Sequence, residues 1–198
     1  MSTCGPRLQE ASDEVLAELA RVGNGAAFAV IVTRHRDAVC VIARNMCETL
    51  QDAERVVRQT FLSAWSDPGA LETDSGFRTS LYRLAMKTAL VHRACASGKP
   101  SRPLDPWVPA FDSTGRLEAS KGRWRVASAD ALEKMEIGEL LREALQRIDD
   151  RGRAAFILRD LLEVPLKEAA VILETSPDVI CGEAHRVRLT LRDFIDRL

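Results

Sequence analysis

The sequence predicts an all-α protein made of two small helical domains joined by a flexible linker. Three observations carry that prediction. Aromatic residues make up only 5% of the 198 residues, and Leu, Ala and Arg set the pattern, which suits helix better than sheet. Apolar residues recur at three- and four-residue spacing through most of the chain. One central stretch, SGKPSRPLDPWVPAFDSTG, is rich in Pro, Gly and Ser and breaks that period. The expected divisions are a frayed, disordered tail over 1–14, a first domain over 15–96, a linker over 97–129 and a second domain over 130–198.

Each element follows from its own residues. A short helix is expected over 15–20, stopped by Asn24 and Gly25. A longer one starts near Ala26, with Phe28, Ile31, Val32, His35, Val39, Ile42, Ala43 and Met46 as its apolar stripe. Asp52 opens the next helix, DAERVVRQTFLSAW, whose early acids suit the helix dipole. Its expected buried side is Val56, Val57, Thr60, Phe61, Ala64 and Trp65, and Ser66-Asp67-Pro68-Gly69 ends it. Gly76 precedes a fourth helix, FRTSLYRLAMKTALVHRACA, with Phe77, Leu81, Leu84, Ala85 and Leu90 inward. Trp107, Phe111 and Trp124 are unusual in a solvated linker and are expected to dock on something. Helix resumes after Asp130.

The C-terminal stretch 150–194 reads as a run of short helices. LKEAAVIL is a compact amphipathic helix, and residues 174–176 form a turn. Ser176 is a candidate N-cap, with Pro177 at the first helical position, where its missing N–H does no harm. A second helix then carries Ile180, Ala184, Val187 and Leu191 at helical spacing. Helix, short turn, helix fits a DNA-reading helix-turn-helix, and from periodicity alone it fits an ordinary αα-hairpin as well. No internal repeat is visible.

Composition excludes several classes. Hydrophobic residues are 46%, charged residues 29%, and the net charge is −1, so any nucleic-acid signal must be local. Five cysteines form no C-x-x-C, and none of the three histidines stands at metal-ligand spacing from one. Cys40 and Cys47 share a helical face as expected buried thiols. The N-terminus lacks the apolar core of a signal peptide, and no apolar run is long enough for a membrane span. A reducing, cytoplasmic setting without membrane insertion is therefore expected. No nucleophile–base pair, metal set or Gly-rich phosphate loop points to an enzyme, a metal or a cofactor. Cys181 and His185 share a helical face, but no third group is evident to orient them as a catalytic pair.

Charge is patterned locally. Residues 75–104 contain no Asp or Glu but hold Arg78, Arg83, Lys87, Arg93, Lys99 and Arg102. Such a stretch, in a chain with 29 acids, is a polyanion footprint. Tyr82 and His92 lie within it and could stack on or bond to exposed bases, while a core position explains Tyr82 equally well. The second helix of the helix–turn–helix is neutral. Arg186, Arg188, Arg192 and Arg197 balance Asp178, Glu183, Asp193 and Asp196 over residues 176–198. Its first turns carry no base, and Gly182 costs a helix interior about 0.8–1 kcal/mol.

Several motifs, in order around the linker, resemble a bacterial extracytoplasmic-function (ECF) sigma factor, the two-domain type of RNA polymerase specificity subunit. DAERVVRQTFLSAW is similar to the family's polymerase-binding segment, usually of the form DAEDVVQETFLRAW. FRTSLYRLAMKTALVHR resembles the segment that melts and reads the minus-ten promoter element. RAAFILRDLLEVPLKEAAVIL and HRVRLTLRDF resemble the flanks of the minus-thirty-five helix-turn-helix. The resemblance implies core RNA polymerase and promoter DNA as partners, an anti-sigma factor as a further candidate, and no catalysis. It implies polymerase contacts at Asp52, Glu54, Arg58, Gln59, Thr60 and Phe61. It implies minus-ten contacts at Arg78, Tyr82, Arg83, Lys87, His92 and Arg93. Minus-thirty-five contacts are implied at Lys167, Ser176, His185, Arg186, Arg188 and Arg192.

The departures from the family pattern are specific. Arg55 stands where the family has an acid, Arg58 where it has Gln, and Gln59 where it has Glu. Ser80 replaces a Trp, Lys87 an Asn and Val91 an Asp. Glu174 occupies the usual turn Gly, and Cys181, Gly182 and Glu183 replace Lys-Ser-Arg, with His185, Arg186 and Arg188 kept. The alternative these departures raise is a degenerate, sigma-like interaction protein that binds polymerase or a regulator and reads DNA weakly.

Overall fold

The computed structural model describes residues 5–67, 76–97 and 134–196. Its elements are α1 (Gly5–Glu10), α2 (Asp13–Arg21), α3 (Gly25–Met46), α4 (Leu50–Ser66), α5 (Phe77–Ser97), α6 (Lys134–Gln146), α7 (Asp150–Phe156), a π-helical turn (Ile157–Leu161), α8 (Leu166–Ile172) and α9 (Pro177–Asp196). Among the described residues there is no strand, as the composition leads one to expect. Most of the expected linker, with Trp107, Phe111 and Trp124, lies outside the described residues, as do Lys99 and Arg102.

Side-chain caps set the helix starts. Ser12 Oγ accepts the Val15 N–H at 3.4 Å, and Asn24 Oδ1 accepts those of Ala26 and Ala27, both at 3.1 Å. Asn24 thus does more than stop α2: it starts α3. Thr49 Oγ1 accepts the Asp52 N–H at 3.1 Å and donates to Asp52 Oδ2 at 2.7 Å, so α4 begins ahead of Asp52. Asp149 Oδ1 caps α7 through the Gly152 N–H at 2.9 Å. Ser176 occupies the expected N-cap of α9, its Oγ 3.5 Å from the Val179 nitrogen. The turn between α8 and α9 passes through Glu174 at φ +50°, and the loop before α8 through Glu163 at φ +52°. Both are left-handed positions that favour glycine.

The long helix α3 is the centre of packing. It lies against α2, α4 and α5 on the N-terminal side and against α6, α7 and the π turn on the C-terminal side. One buried cluster therefore spans both halves of the chain. It joins Leu16, Ile31, Val39, Ile42, Met46, Val56, Leu81 and Met86 to Ala155, Ile157, Leu158, Ala169, Ile172 and Ile180. A second cluster, Leu145, Ile148, Phe156, Val187 and Leu191, closes α6, α7 and α9 on one another. Gly152 permits that closure. A Cβ there would stand 3.1 Å from Val187 Cγ2 and 3.3 Å from Ile148 Cγ2.

The structure departs from several sequence expectations. Residues 5–14, expected to fray, form α1 and the start of α2. Arg34 holds them, donating to the carbonyls of Gln9 and Ala11 and to Asp13 Oδ1, the last at 2.7 Å. Trp65, expected on the buried side of α4, is 38% exposed. Cys40 is half-buried, and only Cys47 of the pair lies in the core. The two halves, whose packing the sequence leaves open, share a core.

Candidate polymerase and nucleic-acid surfaces

The first surface is the outer side of α4. Glu54, Arg58 and Gln59 are exposed on it, and Gln59 donates to Ser63 Oγ at 3.2 Å. Asp52 is half-buried, held by Thr49 and lying 3.5 Å from an Arg55 nitrogen and 3.7 Å from His92 Nε2. Thr60 is fully buried and its hydroxyl donates to the Val56 carbonyl at 2.8 Å, so it supports the helix and offers nothing to a partner. Phe61 is half-buried against Phe28, ring centroids 6.5 Å apart. Phe28 also packs on Trp65 at 5.0 Å. Leu62, 53% exposed, and Trp65 complete an apolar surface that sequence reasoning missed. The period marked Trp65 as inward; its large ring sits at the boundary with one side open to solvent.

The second surface is α5. Lys87 is exposed and Arg83 half-buried one turn earlier. Arg78 is exposed and pairs with Glu168 of α8 at 2.7 Å. Tyr82 is only 8% exposed, packed edge-on to His35 with centroids 6.3 Å apart. Burial pushes its hydroxyl pKa up. In this arrangement Tyr82 is a core residue, inaccessible to a base. His92 is half-buried beside Asp52. Arg93 is turned inward: it donates to the Met46 carbonyl at 3.2 Å and Gln146 Oε1 at 2.9 Å, and its Nε lies 2.6 Å from Asp150 Oδ1.

The third surface is α8–α9. Ile180, Ala184, Val187 and Leu191 face the core as the period requires. The outward stripe is therefore Asp178, Cys181, Gly182, His185, Arg188 and Arg192, all exposed. Lys167 on α8 and Ser176 in the turn are exposed as well. Arg186 points aside, bonded to Asp149 Oδ2 at 2.8 Å and to Glu183. Glu183 is thus neutralised within the domain, and the replaced residues that face outward are Cys181 and Gly182. Arg188 makes a two-pronged pair with Asp160 at 2.7 and 3.2 Å, which pushes its pKa up further. Among the described residues no group of His, Cys, Asp and Glu could hold a metal, and no helix is long and apolar enough to cross a membrane.

Comparison with known proteins shows what the whole chain is similar to. No protein-family model matches the chain. The RNA polymerase sigma factor CnrH of Cupriavidus metallidurans is 28% identical over 193 residues, covering 94% of this chain and 96% of the relative. The ECF RNA polymerase sigma factor SigW of Bacillus subtilis is 25% identical over 170 residues, covering 86% and 89%. The fold matches that of CnrH in complex with the cytosolic domain of CnrY, with a TM-score of 0.66 at 24% identity over 93% of this chain and 97% of that one. Along nearly its whole length the chain is similar in sequence to extracytoplasmic-function RNA polymerase sigma factors, and it shares the fold of one solved sigma factor.

Proposed function

We propose that this chain is a sigma factor that binds core RNA polymerase and directs promoter-specific transcription initiation. The observation that carries the reading is its similarity to ECF sigma factors over almost the full length of both partners. It works by binding and positioning, without making or breaking bonds, in the cytoplasm. The first domain, 15–96, docks on polymerase through the outer side of α4. Glu54, Arg58, Gln59 and Phe61, with Leu62 and Trp65 beside them, supply a polar rim around an apolar centre, the usual anatomy of a protein interface. Arg78, Arg83, Lys87 and Arg93 of α5 meet the minus-ten strand, where bases out of the stack are read on their edges. Residues 97–129 link this unit to the second domain, 130–198. There Lys167, Ser176, His185, Arg188 and Arg192 approach the minus-thirty-five duplex, with α9 in the major groove. A protein of anti-sigma type is a further partner, since the related CnrH was solved in complex with the cytosolic domain of CnrY.

The test is run-off transcription with purified core polymerase on a promoter library. Defined start sites that depend on the chain are expected, and their absence would sink the reading. One observation favours a second reading, a sigma-like protein that binds polymerase and reads duplex weakly. The outward stripe of α9 has no Lys or Arg before Arg188. A salt titration of duplex binding separates the two, because a phosphate-contacting domain loses affinity steeply with salt. A flat slope favours the second reading.

A further inference from the structure

This inference rests on the assignment of α9 to duplex DNA. Arg188 stands on the outward stripe of α9 and is gripped by a residue of another element. Its Nε donates to Asp160 Oδ1 at 2.7 Å, and its Nη2 donates to Asp160 Oδ2 at 3.2 Å. Both carboxylate oxygens thus take the Nε side of the guanidinium. The other terminal nitrogen, Nη1, meets no acceptor among the described residues. The Arg188 side chain is 49% exposed and that of Asp160 23%, so the carboxylate is the more sheltered of the two. The backbone holds Asp160 in place. It lies in the π-helical turn, which the Leu162 N–H closes on the Ile157 carbonyl at 3.0 Å, and the Val164 N–H ties the following loop to the Leu158 carbonyl at 2.8 Å. Such wide turns are rare and are frequent at functional sites.

An ion pair this open adds little to stability, because solvent screens it and two side chains must be ordered to make it. Ordering is worth more in binding. A free arginine gives up rotamer freedom when it meets a partner, whereas one already gripped has given it up beforehand. A guanidinium carries five N–H donors in a planar fork; two go to Asp160 and the rest stay open to an anion. We propose that Asp160 is a positioning residue for duplex binding, fixing the guanidinium of Arg188 so that its open edge meets a DNA phosphate. Phosphate rather than base follows from place: Arg188 lies in the later half of α9, while base-reading residues cluster at the N-terminal end of such a helix. A neighbouring arginine gives the contrast. Arg186 lies between two carboxylates, Asp149 and Glu183, and points aside. Arg188 meets one, and Lys167, His185 and Arg192 are exposed in the same helix pair. Asp160 also repels phosphate, so its two effects on binding have opposite signs and can be told apart.

The test uses the full chain and a fluorescein-labelled mixed-sequence DNA duplex, followed by anisotropy over a range of salt. Asp160→Asn removes the charge but keeps the shape. Simple repulsion by Asp160 predicts tighter binding by this variant, with or without Arg188. The positioning role predicts the reverse. Asp160→Asn weakens binding by about two- to tenfold, what immobilising one long side chain costs at an interface. In an Arg188→Ala background the same change causes no loss. Arg188→Ala itself weakens binding and lowers the salt slope by about one, as loss of one phosphate contact does. Arg188→Lys keeps the charge without the fork and binds more weakly than wild type. Equal or tighter binding by Asp160→Asn, the same loss from it in both backgrounds, an unchanged salt slope for Arg188→Ala, wild-type affinity of Arg188→Lys, or no duplex binding by the wild-type chain overturns the proposal. If Asp160→Asn fails to fold, the two Arg188 variants decide the matter by the same outcomes. Failure of the sigma reading shows separately, as no co-elution with core polymerase.

Discussion

Replacing Arg153 tests the physics of this fold most directly. Arg153 is fully buried. Its Nε donates to the Leu145 carbonyl at 2.7 Å, and its two terminal nitrogens reach Met46 O, Gln146 Oε1, Gln146 O and Ile148 O at 3.3, 3.1, 3.0 and 2.7 Å. Helix α6 ends at Gln146 and α7 begins at Asp150, so one guanidinium satisfies carbonyls left open by the end of α6 and the turn after it. Burial, followed by the neighbouring Arg93, pulls its pKa down to about 10, which still leaves it charged at neutral pH. Arg153→Met keeps the length and fills the space but strands the carbonyls of Gln146 and Ile148, while the Leu145 carbonyl keeps the Ile148 N–H at 3.1 Å. Each buried acceptor without a partner costs about 1–3 kcal/mol. Removing the buried charge relieves its desolvation cost, so a net loss of about 3–5 kcal/mol is expected. At about 2–4 °C per kcal/mol for a chain this size, the melting midpoint falls by about 6–20 °C. Circular dichroism melts and urea titration measure both quantities. A loss below about 1 kcal/mol would show that water or relaxation satisfies the carbonyls, and the account of Arg153 would be wrong.

Three other outcomes are expected. Glu174→Gly removes a side chain from φ +50° and stabilises the chain by about 0.5–1 kcal/mol; an unchanged or lower midpoint in the same melts contradicts the strain argument. Asp13 is partly buried, which alone would raise its pKa, but hydrogen bonds from Arg34 and His35 hold it below its ordinary 3.8. Its contribution is therefore complete above that value and fades as the pH falls through the lower folded value, so Asp13→Asn should flatten the acid limb of a stability–pH curve. Trp65→Ala should leave the melting midpoint within about 1 kcal/mol equivalent of wild type while weakening competition for core polymerase by about tenfold or more, as loss of an exposed aromatic anchor does. Undiminished competition removes Trp65 from the interface.

Local signals made much of the fold legible. The inward set of α9 follows from its period, and Ser176 was legible as a cap because its short polar side chain accepts a backbone N–H, whereas Asn24 was legible only as a stop and Asp149 was missed. The same logic misjudged residues at the boundary. Trp65 and Tyr82 are both amphipathic aromatics at plausible inward positions, yet one is partly open and the other in the core. Which way each goes depends on α3, whose Phe28 meets Trp65 and whose His35 meets Tyr82. The candidate site was legible as a basic stretch without acids, because charge composition is local. Its partners were not: Glu168 lies 90 residues from Arg78, and Gln146 lies 53 from Arg93.

By itself the sequence determined the helices, their order, and the sigma-factor motifs spaced along them. Hydrophobic period and capping chemistry act within a few residues, so they survive being read in one dimension. Only the tertiary structure decided that both halves share one core around α3, and that Arg186 and Glu183 cancel one another within their domain. It alone brought Arg78 and Arg93 onto carboxylates of the far half. The reason is that an arginine's charge is written in the sequence, while the acceptor that takes it up is set by which helix faces close upon each other.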